Sequence, residues 1–385
     1  MLSRSLPMSA PAGACGSCVY RDPCGGLEDE SSLFGCFVDC GVLCKRDTGG
    51  RCDYTCPAKP REFARRLREV GGLEGRPREA FRSPTSDFPT YVPFIRHGYR
   101  RDLTLADEHI AVPTFELVGG AGANYGPRSR TAHDLRDRLA LRRDAQVLFV
   151  SVAPDAELER YWACANELSI PAKLARLALW GVTAPNYSFF DQVPRTQLLY
   201  NRARIIRALE ALTVAGVPAI PHLNARTRMD WRFWADVLRA QPQVRYVAKE
   251  FQTGGRDPER AQEMLTGLRY VQDRIQQDLR PIIVGGTQYA TMIARHFPLA
   301  TFVDSRPFMA AVHRQRFVLD CRGAQWEPSP TAPQEPIDDL LADNIRNYRR
   351  YVERLVREGR AQCMMPPPAV AVEDASELLV EEHMT

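Results

Sequence analysis

Lysine is nearly missing: Lys45, Lys59, Lys173 and Lys249 are four of 51 basic residues, and the rest are arginine. Against 47 acidic residues the net charge is only +4. That is too small to mark the whole chain as a polyanion binder, and the arginine bias fits a GC-rich genome better than a task. Long apolar runs are also missing. None reaches the ~18–20 residues of a membrane span, and MLSRSLPMSAPAG lacks the hydrophobic segment of a secretory signal, so a cytoplasmic protein with no membrane partner is expected. No GxGxxG follows the first predicted strand, which removes the usual dinucleotide fingerprint. Residues 1–60 contain no histidine, so a metal site there would rest on thiolates.

What is present begins with cysteine. Eight of eleven cysteines fall within the first 56 residues, at Cys15, Cys18, Cys24, Cys36, Cys40, Cys44, Cys52 and Cys56. In a reducing compartment such a dense set reads as a metal site rather than a disulfide scaffold. Eight thiolates suit two four-thiolate sites, and both tetrahedral zinc and a [4Fe–4S] cluster accept four cysteines, so zinc or an iron–sulfur cluster is the expected cofactor. Arginines cluster between Arg61 and Arg143, in REFARRLREVGG, RHGYRR and DLRDRLALRR. A phosphate-binding face could be built there, but the interleaved acids favour a solvated helix face.

At 385 residues and 44% hydrophobic content, the chain can bury one core of about 250–300 residues and a smaller appendage. From about residue 145 short apolar runs alternate with helical stretches: AQVLFVSVA, LWGVTAPNYS, VPAIPHLNA, VRYVAKEFQ, PIIVGG and LATFVDS. This is the β/α alternation of a parallel sheet. One or two further strands from FPTYVPF and IAVPTFELV would complete an α/β (β/α)8 barrel of the TIM type, with an open doubly wound sheet as the alternative. The expected organisation is a Cys-rich metal-binding segment over 1–60 and a basic helix and loop region over 61–140 that holds the first strand. The barrel follows over 141–360, with a last helix, IDDLLADNIRNYRRYVERLVREG, on its outside, and then a disordered acidic tail over 361–385.

In such a barrel functional groups sit where strands run out. Asn186, Tyr187, Ser188 and Asp191 follow the second run, His222 and Asn224 the third, Lys249, Glu250 and Gln252 the fourth, Gly285 and Gly286 the fifth, and Asp304 and Ser305 the sixth. Each has a plain reading: Asp304 or Ser305 as a helix cap, Gly285-Gly286 as a turn, His222 as a core histidine. Together they describe a pocket of carboxylates, amides, backbone and aromatic rings such as Tyr187, Phe189, Phe190 or Phe251, suited to a planar heterocycle with hydrogen-bonding edges.

The segment LRPIIVGGTQYATMIARHFPLATFVDSRPFMAAVHRQR (279–316) resembles the part of the tRNA-guanine transglycosylase superfamily that runs from Lys-Pro-Arg-Tyr-Leu-Met-Gly-Val-Gly to Phe-Asp-Cys-Val-x-Pro-Thr-Arg. VRYVAKEFQTGG, PAIPHLNAR and APNYSFFDQ are similar in element order to the family's Gly-Gly-Leu-Ala-Val-Gly-Glu, Val-Gln-Gly-Gly and Ser-Asp-Ser-Gly-Gly-Phe-Gln. The resemblance implies that Asp304 is the nucleophile that attacks the ribose C1′ and displaces the base, that Asp191 is the second carboxylate, and that Glu250 lies against the base. Beyond 316 the chain has only Cys321 and Cys363 in place of the family's Cys-x-Cys-x-x-Cys plus His zinc site, which points to the branch acting on guanine in DNA.

The expectation is therefore a base-exchanging transglycosylase with nucleic acid, DNA before RNA, and a modified or deazapurine base as partners. An iron–sulfur radical or redox enzyme on the same scaffold and a non-catalytic nucleic-acid-binding protein are the alternatives.

Overall fold

A computed structural model describes residues 53–56, 59–99, 101–189, 193–252, 255, 257–320, 323–332 and 334–363. Twelve strands appear among these residues: β1 (Tyr91–Pro93), β2 (His109–Pro113), β3 (Val118–Gly119), β4 (Gly126–Pro127), β5 (Gln146–Val150), β6 (Gly181–Thr183), β7 (Ala219–Ile220), β8 (Tyr246–Glu250), β9 (Arg280–Val284), β10 (Thr301–Asp304), β11 (Gln315–Asp320) and β12 (Gly323–Pro328). Eight of them form two parallel four-stranded sheets, in the orders β1-β10-β9-β8 and β2-β5-β6-β7. The protein is an α/β protein in which helices separate successive parallel strands from β2 onward, as the alternating runs predict, while β1 runs to β2 without a helix among the described residues.

The two sheets touch at both of their ends. A single parallel bridge joins Phe94 to Ala111, and another joins His222 to Ala248. One apolar cluster draws on both sheets, with Val92, Phe94, Ala111, Leu148, Val150, Ile220, Tyr246, Ala248, Ile282, Val284 and Val303. Neighbouring positions on the same strands, such as Val147, Phe149, Val247, Ile283 and Phe302, belong to a second, larger cluster shared with the helices. Side chains alternate between the faces of a strand, so each strand is covered on both sides. That explains why these runs are continuously apolar rather than alternating with polar residues.

Helix starts follow local chemistry. Thr227 and Asp230 form a capping box for Arg228–Arg239, and Asp257 caps Pro258–Ile275, whose proline occupies the first turn. The basic helix Pro60–Val70 lays Phe63, Leu67 and Val70 against Leu199, Tyr200 and Ala203 of the long helix Arg195–Val214. On its other face Arg65 pairs with Glu62 and Glu69, which makes this a solvated charged face.

After β10 the chain departs from the regular alternation. The antiparallel ribbon β11–β12 intervenes before the last helix, Asp338–Cys363. Phe317 and Trp326 of the ribbon pack against Tyr348 and Tyr351 of that helix. Fully buried Asn344 joins the two by accepting from the Phe317 N–H at 2.8 Å and donating to the Gln315 carbonyl at 2.8 Å. Among the described residues no helix is long and apolar enough to cross a membrane.

Candidate active site at the strand ends

Asp304 closes β10, with 4% of its surface exposed. Val303 lies in the cluster that both sheets share, so by alternation Asp304 leaves the strand on the other face, with Phe302, toward the last helix. Its Oδ1 accepts the Arg306 backbone N–H at 2.9 Å. This bond satisfies an amide at the start of helix Arg306–Val312, whose N-cap residue, half-buried Ser305, makes no side-chain cap of its own. The Oδ2 atom receives three further donors: Thr287 Oγ1 at 2.6 Å, Tyr348 Oη at 2.9 Å and Arg306 Nε at 2.9 Å. Burial, and after it the charge of Asp304, push the Tyr348 phenol well above its ordinary value, so it remains a neutral donor.

A second group forms where β6 and β7 end. Asn224 Nδ2 donates to Asn186 Oδ1 at 2.6 Å and to the Tyr187 carbonyl at 2.8 Å. The structure thus brings two expected amides together. The Tyr187 ring does not face outward: it is buried beneath the Arg204 guanidinium, 4.0 Å from the ring centroid, and its hydroxyl has no hydrogen-bond partner. Phe251 is likewise enclosed. Of the rings expected to stack on a planar ligand, Tyr187 and Phe251 serve the core instead, Phe189 is half-buried, and Phe190 lies outside the described residues.

The third group centres on β8. His222, bridged to Ala248, is fully buried, and neither ring nitrogen has a hydrogen-bond partner. Burial, with the Lys249 charge adding to it, holds the imidazole well below its ordinary pKa. Lys249 Nζ donates to the Leu223 carbonyl at 3.1 Å. Burial lowers its pKa from 10.5 to about 8, with Glu250 opposing. Glu250, 9% exposed, accepts the Gln252 N–H. Gly285 and Gly286 have φ of 75° and 69°, which side chains rarely adopt. A Cβ at Gly285 would lie 2.6 Å from Gln252 Cγ, and one at Gly286 would lie 2.7 Å from Phe251 Cβ. The glycines therefore admit the chain's own 251–252 segment.

Asp191 and the cysteines from Cys15 to Cys52 lie outside the described residues. Cys56 is described and half-buried, with its thiol free. Among the described residues no three His, Cys, Asp or Glu side chains are grouped to hold a metal. Sequence reasoning missed Thr287, Arg306 and Tyr348, the donors to Asp304. Tyr348 lies 44 residues further along the chain, and nothing in its local pattern marks it.

No protein-family model matches the chain, and no curated protein matches it.

Proposed function

We propose that the eight parallel strands close through the Phe94–Ala111 and His222–Ala248 bridges into a (β/α)8 barrel, and that the protein exchanges a base in nucleic acid at the strand ends, with guanine in DNA as the favoured target. Asp304 is the nucleophile. Its Oδ1 bonds to C1′ as the bond from C1′ to N9 of guanine breaks; the guanine takes a proton from a nearby acid as it leaves. The incoming deazapurine then gives up its ring N–H proton to the conjugate base of that acid, bonds to C1′ and releases the carboxylate. The observation that carries this reading is the set of three side-chain donors on Oδ2. A cap needs one bond, which Oδ1 already makes; the other three fix the orientation of the carboxylate. The N-terminal cysteines, on this reading, hold zinc or an iron–sulfur cluster.

A second reading is favoured by the low exposure of Asp304 and by its direction toward the last helix: the carboxylate is a structural anchor that ties Asp338–Cys363 to β10. Three variants separate the two. Asp304→Asn, Tyr348→Phe and Thr287→Val each remove part of the network, and each costs about 1–3 kcal/mol of stability. For a nucleophile, only Asp304→Asn lowers base exchange by orders of magnitude. For an anchor, turnover follows stability across all three.

A further inference from the structure

The arginine-rich stretches of the sequence do not share one role. REFARRLREVGG forms the solvated helix face already described, and in DLRDRLALRR Arg136 turns inward to the carbonyls of Ala132, Ala145, Leu177 and Ala178. Other cations gather where β1 and β2 run out. Arg96 and His97 follow β1 and both reach Glu116, just past β2: Arg96 through its guanidinium, His97 through its backbone N–H at 3.0 Å. The Arg128 N–H donates at 2.7 Å to the carbonyl of Leu117, next to Glu116 in the chain. Arg138 Nε donates to Ser129 Oγ at 3.1 Å. Burial, and after it the charges of Arg138 and Arg128, hold the His97 imidazole below its ordinary pKa, with Glu116 opposing. These groups therefore act on one small volume.

Acids do not balance these cations. Glu116 is taken by Arg96, and Asp134, 4.0 Å from Arg138 Nη2, also accepts the Arg130 N–H at 2.7 Å. Arg128 and Arg130 are exposed, and among the described residues their guanidiniums have no partner. The turn between β3 and β4, residues 120–124, is exposed and carries no side chain larger than that of Asn124, which leaves room for a bulky ligand beside them. The cluster adjoins Asp304. Pro93 of β1 pairs with Asp304, and the Phe94 N–H donates to the Asp304 carbonyl at 3.2 Å; Arg96 stands two residues further on, about 7 Å of extended chain.

We infer that Arg96, Arg128, Arg130 and Arg138 bind the phosphodiester backbone of a nucleic acid, with DNA as the favoured source, on the side of Asp304 where β1 and β2 end. The inference rests on the proposed action on nucleic acid and adds which face carries the strand. A guanidinium fork matches a phosphate, and such contacts hold a strand in place without reading its sequence.

The test is equilibrium binding of the full-length chain to labelled guanine-containing DNA, and to RNA of the same sequence, over a series of salt concentrations with no free base present. Arg128→Gln and Arg138→Gln should each reduce the magnitude of the slope of log K against log salt by about 0.7–0.9, and the double variant by about twice that. Arg128→Lys keeps the charge and should keep the slope. Arg142→Gln removes an equal charge ahead of β5, at the opposite end of the strands, and should also keep it. An unchanged slope in the double variant, or an equal fall in Arg142→Gln, would overturn the assignment of this face. RNA bound more tightly than DNA would overturn the choice of DNA. Base exchange is assayed separately: exchange by a protein whose slope ignores both arginines refutes the binding face alone, and arginine-dependent binding without exchange refutes the reaction alone.

Discussion

Replacing Asp230 with alanine is the most severe single perturbation that the ion pairs of this structure suggest. Asp230 is fully buried and accepts Arg195 Nη1 and Nη2 at 2.7 Å each, Arg202 Nη1 at 2.9 Å and the Arg226 N–H at 2.9 Å. Burial alone would raise its pKa; Arg195, then Arg202, reverse this and lower it from 3.8 to about 2. At about 1.4 kcal/mol per pH unit that difference is worth roughly 2 kcal/mol. A carboxylate whose pKa is depressed on folding contributes its stability above pH 3.8 and loses it as pH falls toward about 2. Removing the side chain costs more than this pH-dependent share, because two guanidiniums lose their common buried counter-ion, and the expected loss is about 3–5 kcal/mol. Urea denaturation at pH 7 measures it, and the acid limb between about 2 and 3.8 should flatten in the variant. Adding Arg202→Met should restore part of the loss by removing one buried cation together with the anion. A loss below about 1 kcal/mol, or a double variant no better than the single, would refute the reasoning.

Three further outcomes follow from the same geometry. Lys249 gives up its proton near pH 8 in the folded chain and near 10.5 otherwise, so the unfolded chain binds more protons between those values and stability rises with pH there. Lys249→Met should remove that rise and add up to roughly 3 kcal/mol at pH 7 in denaturant titrations; an unchanged slope would contradict it. His222→Leu should leave the melting temperature unchanged or higher, because neither ring nitrogen is bonded, and a marked fall would reveal a hidden polar partner. Gly267→Ala, a change that favours most helices by about 1 kcal/mol, should instead destabilise by about 1–3 kcal/mol, because the new Cβ would lie 2.0 Å from Trp231 Cε2. Thermal melts that show a gain would refute the packing argument.

Much of the fold is legible in the sequence because it depends on local pattern. All six apolar runs after residue 145 became parallel strands, β5 to β10, and FPTYVPF and IAVPTFELV supplied β1 and β2. Burial on both faces is what makes such runs continuous. The ribbon β11–β12 was not legible, since only three of its twelve residues are hydrophobic apart from the aromatic pair Phe317 and Trp326, and its partner surface is a helix further along the chain. The site was legible as positions rather than as contacts. The pairing of Asn186 with Asn224 joins residues 38 apart, and the donors on Asp304 come from three separate segments. Buried Arg202 and Arg204 look like solvent-facing charges in RTQLLYNRARIIRALEALTV until Asp230 and Glu159 are brought to them by the fold.

Direct detection of the covalent intermediate tests the central claim most closely. Full-length protein is mixed with guanine-containing DNA and a 7-deazaguanine base, quenched in denaturant, and digested for mass mapping. A DNA adduct is expected on the peptide carrying Asp304, present in the wild type and in Tyr348→Phe and absent in Asp304→Asn. Base exchange at the full rate by Asp304→Asn, or an adduct mapped to another residue, would contradict it.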